Sequence, residues 1–231
     1  MNMRRAAVPL LLLLIAACTP APRRPAAVAP PPVAPPVVRP PAPPPIVQFQ
    51  NVWTRDAGTQ LRTDAGGVPL PYVFMRLEVL RADTADLLVR CPVCPGTPEG
   101  WIERARVVHA PLRPADAARL DLADFVLSVR EAAAQRDVEA LRSVMARDFV
   151  HTLGPLEMGL LETFASWERE GYRTLDRMPF LLDRGVATVV GTPVWAAPPE
   201  YASQQGYGDL RAGFRRGPDG WEWIFLVRGG A

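Results

Sequence analysis

An excess of basic charge is what this chain most conspicuously lacks. Its formal balance is +2, from 26 basic and 24 acidic residues, and lysine is absent, so every basic residue is arginine. Arg4 and Arg5 fall in an N-terminal segment expected to be cut away, and no acid does; the remainder carries 24 charges of each sign. A nucleic-acid binder needs a basic surface that neutralises phosphates and releases counterions. No such surplus exists, and Arg215-Arg216 reads as the solvated end of a hairpin, so no nucleic-acid partner is expected. Metal-ligating side chains are equally scarce. Besides Cys18 the chain has only Cys91, Cys94, His109 and His151 in the cysteine and histidine classes. A structural zinc site takes about four convergent ligands, so neither a metal nor a cofactor is expected. Nor does any apolar run reach the roughly 20 residues that a helix needs to cross a bilayer. A hydrophobic share of 48% is nonetheless ample for a folded core.

The N-terminus carries the three parts of an export signal: Arg4-Arg5, the apolar stretch Val8 to Ile15, and the small pair Ala16-Ala17. Ile15-Ala16-Ala17-Cys18 resembles the lipobox of bacterial lipoproteins. The resemblance implies removal of residues 1–17 and thioether lipidation of Cys18, with more than one acyl chain on that residue. Each buried methylene contributes about 0.8 kcal/mol, so several chains hold where one does so only marginally. Thr19, a non-aspartate after the cysteine, is compatible with an outer membrane facing the periplasm in bacteria with two membranes. The expected location is therefore the cell envelope, with the membrane as a partner through the lipid.

Residues 18–46 read as a tether. Thirteen prolines lie between positions 19 and 46, with Arg23, Arg24 and Arg39 the only charges. Proline fixes φ and pushes its predecessor toward extended conformations. A polyproline II spacer of this length would reach roughly 85 Å at about 3.1 Å per residue.

Residues 47–110 read as short strands punctuated by Gly66-Gly67, Asp83-Thr84 and Pro95-Gly96, which is the pattern of a small all-β barrel. Thr59 to Thr63, Leu77 to Leu80 and Gly100-Trp101-Ile102 resemble the opening, middle and closing segments of the bacterial Src-homology-3-like domain. The tryptophan usual at the start of the Leu87–Val89 strand is missing. The resemblance implies a module that binds peptides, cell-wall components or envelope proteins. Tyr72 and Trp101 are its candidate surface, although a tryptophan at the latter position is commonly core. Cys91-Pro92-Val93-Cys94 reads as a local disulfide in an oxidising compartment; free thiols, a redox pair and a metal site shared between two chains remain as alternatives. A redox pair belongs at a helix N-terminus, whereas Pro95-Gly96 and a turn follow here.

After residue 115 the period changes. Leu122, Phe125, Val126 and Val129 share one helical face, Asp137 can cap a second helix bearing Leu141, Val144 and Met145, and Leu156, Leu160, Leu161, Phe164 and Trp167 mark a third, stopped near Gly171. A fourth is expected from Thr174 to Asp183. Strands are expected over Val186 to Trp195, Asp209 to Arg215 and Trp221 to Val227, the last two joined at Pro218-Asp219-Gly220. Residues 115–231 thus read as an α+β domain with N-terminal helices and an antiparallel sheet. Asp148 to His151 and Gly220 to Phe225 resemble elements of the nuclear-transport-factor-2-like superfamily, whose often hollow cone in some members binds or isomerises small molecules through a buried carboxylate. That resemblance nominates His151, Glu157, Glu162, Tyr172 and Asp183 as ionisable candidates. Trp167, Trp195, Tyr201, Trp221 and Trp223 are candidate pocket aromatics, with core packing as the plainer reading.

No catalytic constellation emerges, so the chain is not expected to be an enzyme. The leading expectation is an anchored binding or adaptor module for cell-wall or envelope partners, and the alternative is an isomerase-like or small-molecule-binding C-terminal domain. Labelled palmitate should enter the chain in cells. Cys18→Ser should remove the label and leave residues 1–17 attached.

Overall fold

The computed structural model describes residues 50–111, 120–151, 159–203 and 206–229. The lipobox, Cys18, the tether and Glu157 lie outside the described residues. Among the described residues no helix is long and apolar enough to cross a membrane.

Seven strands arise before residue 110: β1 (Asn51–Thr54), β2 (Thr59–Thr63), β3 (Gly66–Leu70), β4 (Val73–Ala82), β5 (Asp86–Arg90), β6 (Glu99–Glu103) and β7 (Val107–Val108). They pair in the order β3-β2-β6-β5-β4, and β1 bridges β4 and β7. Gly66-Gly67, expected as punctuation, begins β3, and the turn falls at Asp64-Ala65. Period-2 alternation sends Leu61, Leu70, Leu77, Leu87, Val89 and Ile102 into one core.

The second half contributes α1 (Leu122–Gln135), α2 (Val138–Val144), β8 (Met145–Val150), α3 (Leu160–Arg169), α4 (Met178–Leu182), β9 (Arg184–Thr188), β10 (Trp195–Ala197), α5 (Pro199–Ser203), β11 (Arg211–Gly217) and β12 (Gly220–Val227). Asp121 and Asp137 cap α1 and α2, accepting from the Asp124 and Ala140 N–H groups, which satisfies donors that a helix start leaves open. The run from Val186 to Trp195 is two strands, not one. Val189 N–H bonds the Val194 carbonyl at 2.8 Å, turning the chain just where Pro193 withholds a donor. The sheet is also not wholly antiparallel: β8, read from sequence as a helix end, pairs parallel to β12 through Trp223↔Met145 and Phe225↔Val150. That pairing joins residues far apart in the chain, which local periodicity cannot register.

The two halves meet along β4. Its first residues pair with β9 (Val73↔Val186, Met75↔Arg184), and its later ones with β1 and β5. Gly185 permits the approach, since a Cβ there would lie 2.9 Å from Tyr72 Cβ and 3.0 Å from the Val73 carbonyl oxygen. The wall formed by β1, β4 and β7 has two apolar faces. Val52, Met75 and Val107 enter the first core, whereas their neighbours Trp53, Phe74 and Val108 enter the larger core built on α1. Phe74 holds φ at 64°, in the left-handed region that a bulky residue rarely occupies. This kink puts Val73 and Phe74 consecutively into the larger core. Phe74 then stacks on Trp53 with centroids 5.5 Å apart.

A buried carboxylate fastens the wall to the helices. Trp53 Nε1 donates to Asp183 Oδ1 at 2.8 Å, and Arg130 of α1 donates from Nε to the same oxygen at 2.7 Å and from Nη2 to Oδ2 at 3.2 Å. The Arg130 guanidinium also lies 4.7 Å above the Trp53 ring, and Arg76 N–H donates to the Asp183 carbonyl at 2.9 Å. Nearby, Arg55 pairs with both Asp121 and Asp124 at the start of α1. Breaking a buried pair by removing one charge costs about 3–5 kcal/mol, more than its apolar replacement does. Asp183→Asn should therefore lower unfolding free energy by about 3 kcal/mol in urea titrations, and Asp183→Leu combined with Arg130→Met should recover part of that loss.

Candidate functional site

A groove of about 360 Å³ opens on the first strand assembly, between the loop after β1, the strands β2 and β6, and the 3-10 turn Arg104–Arg106. Gly58 turns the loop at φ 75°, and the Thr59 hydroxyl ties it by donating to the Asp56 carbonyl at 2.8 Å. On β6, Gly100 and Ile102 point inward, so Trp101 faces out, flanked in register by Arg62 on β2 and Leu88 on β5. Its ring is half-buried and lines the groove, with Arg81 stacked 4.7 Å from its centre.

The walls carry both charge signs. Arg62 meets Asp86 at 2.7 Å and Glu103 at 3.9 Å, while Arg106 meets Asp56 at 3.5 Å and Glu103 at 4.0 Å. Such solvated pairs contribute about 0–1 kcal/mol each, so a ligand bearing an amine and a carboxylate can exchange with them at little cost. Sequence reading singled out Trp101 and missed Asp56, Arg62, Glu103 and Arg106. A signal existed for one of them: Glu103 shares the outward face of β6 with Trp101, two residues away.

The other expected site residues scatter. Tyr72 packs against the first core and is not among the groove's lining residues. Trp195 is half-buried on β10 against the larger core. Trp167 is wholly buried and stacks on Trp223 with centroids 5.9 Å apart, with Phe149 and Phe164 edge-on to it. These rings pack together within the described part of the larger core. Trp167 Nε1 has no hydrogen-bond partner among the described residues. His151 does meet Trp167, edge to face at 5.5 Å, and its Nδ1 lies 3.2 Å from the Leu226 carbonyl oxygen. Glu162 is exposed on α3, Tyr172 lies under the Arg136 guanidinium, and both oxygens of Asp183 are engaged as described above. Cys91 and Cys94 lie within bonding distance, their sulfurs 2.08 Å apart, with Cys91 fully buried in the first core. Among the described residues no three His, Cys, Asp or Glu side chains converge as metal ligands.

Burial pushes the His151 imidazole below its ordinary pKa, and the Leu226 carbonyl and Glu170 offset this only in part. A histidine with a depressed pKa in the folded state binds its proton more readily when unfolded. Stability then rises with pH across the window below the ordinary value of about 6.5 and is lost as the pH falls through it. Urea midpoints taken from neutral pH down to about 5 should fall below pH 6.5 or so, and His151→Gln should make the decline shallower.

No protein-family model and no curated protein matches the chain. Among solved structures it is similar to an NTF2-like protein of unknown function from Pseudomonas putida KT2440, with a TM-score of 0.27 and 18% identity over 46% of this chain and 81% of that one. The likeness is weak, and the topology of the C-terminal half stands on its own strand pairing.

Proposed function

We propose that this chain is a lipid-anchored envelope protein whose Trp101 groove binds short zwitterionic peptides of the kind carried by the cell wall. The groove carries the reading: an outward aromatic ring beside two arginines and two carboxylates, in a volume of about 360 Å³. That volume falls at the lower end of small-ligand clefts. Aromatic side chains supply contact area at low entropic cost, and paired rim charges fix the orientation of a ligand with charged ends. The lipobox resemblance supports a location outside the cytoplasm, the tether would hold the groove away from the membrane, and the likeness of residues 47–110 to bacterial Src-homology-3-like modules supports the same class of ligand.

An isomerase-like role for the second half would need a carboxylate free to meet a ligand. Of the nominated carboxylates among the described residues, Asp183 is held on both oxygens by Trp53 and Arg130 and Glu162 is exposed on α3, which supports the binding reading.

The test is calorimetric titration of the chain with a cell-wall stem tetrapeptide, together with co-sedimentation on purified peptidoglycan. Trp101→Ala, whose side chain stands outside the core, should retain the circular dichroism of the parent and weaken both signals by about tenfold. Unchanged affinity in this variant, or no saturable binding by the parent, would remove the proposal.

A further inference from the structure

A second groove, of about 320 Å³, lies on the other half of the molecule, where α4 faces the segment leading into β11. Its floor is apolar: Leu181 and Leu210 are almost wholly buried there. At its rim stands Phe180, 74% exposed, one position along α4 from the buried Leu181. Isolated exposed apolar residues are ordinary, and Val190 and Leu161 are such cases. Phe180 differs because its ring lines a concavity whose walls also carry Arg177, Arg184 and Tyr207.

The polar groups around this floor are unevenly committed. Asp209 accepts from the Leu210 N–H at 2.7 Å, which holds its carboxyl below the usual carboxylate range and makes it a clasp for the loop. Arg177 reaches Asp209 only at 3.3 and 3.5 Å, and Arg228 only at 3.7 Å. Arg184 gives one Nη to Glu200 and also donates to the Tyr207 side chain. A guanidinium offers donors on three nitrogens in a planar fork, so both Arg177 and Arg184 keep N–H groups for a further acceptor. Burial pushes the Tyr207 phenol above its ordinary pKa, keeping it a neutral hydroxyl at physiological pH.

We infer that this groove is a binding site for a small amphipathic carboxylic acid, its aryl or short acyl body lying on Leu181 and Leu210 under Phe180, and its carboxylate taken by Arg177 and Arg184. Planar carboxylates match the arginine fork, and such charge-assisted bonds are the stronger kind. Both arginines are about half-exposed, so solvent screens the attraction and affinity should be modest, about millimolar. The inference is independent of the Trp101 groove, which lies among other elements.

The probes are 4-phenylbutyrate and octanoate against their primary amides, titrated into the isotope-labelled chain and followed by amide chemical shifts. The acids should saturate, with the largest shifts around Phe180 and Leu210, and the amides should bind at least about fivefold more weakly. Phe180→Ala should weaken acid and amide alike, whereas Arg177→Gln should weaken only the acid; both side chains are exposed, and unchanged circular dichroism checks that the variants fold. Trp101→Ala should leave the titration untouched, so failure of the peptide reading and failure of this one are distinguishable. Equal binding of acid and amide, no effect of Phe180→Ala, or no saturation by about 10 mM acid would overturn the inference.

Discussion

The contact on which the structure depends is the one that the Asp183 carboxylate makes with Trp53 and Arg130, with Arg76 beside it at 3.9 Å. A carboxylate almost excluded from water is tolerable only when paired and hydrogen-bonded. Its acceptors are met from two directions, by an indole on β1 and a guanidinium on α1, and the guanidinium lies over the same indole. One side chain at the end of α4 therefore fixes the strand wall of the first half against the first helix of the second. Hydrophobic packing supplies the bulk of the attraction between these faces; the ionic contact adds direction, because a shifted wall would leave a buried charge unmet.

The wall has an uncommon task. A strand in a small barrel ordinarily shows one face to the core and the other to water, but β1, β4 and β7 have apolar residues on both sides. The left-handed turn at Phe74 is the local cost of that arrangement, since it reorients the start of β4 to pair with β9 while the rest still pairs with β1 and β5. Strain of this kind persists only where surrounding contacts over-determine it. The stack on Trp53 and the Thr54 hydroxyl, which accepts from Met75 N–H at 2.9 Å and donates to the Tyr72 carbonyl at 3.0 Å, are those contacts.

The first groove lies away from Asp183, whereas the second borders the junction through Arg184; in both, the rim charges remain solvated and exchangeable. The chain segregates its chemistry accordingly. Its most deeply buried ionic group is structural, and its arginine-rich rims are where ligands can compete. Of the aromatic residues nominated for an interior pocket, Trp167 and Trp223 are wholly buried and stacked on each other.

What the sequence determined by itself is whatever short-range physics encodes: the helical face of Leu122, Phe125, Val126 and Val129, the cap at Asp137, the hairpin at Pro218-Asp219-Gly220, and the proximity of Cys91 and Cys94. Each follows from spacing, turn chemistry or alternation within a few residues. The parallel seat of β8, the doubly buried wall and the engagement of Asp183 with residues 53 and 130 were decided by tertiary structure alone. Periodicity can say that Trp53 and Phe74 have apolar surface to bury but not which core receives them, because that choice depends on strands and helices that lie far away in the chain and meet only when it folds.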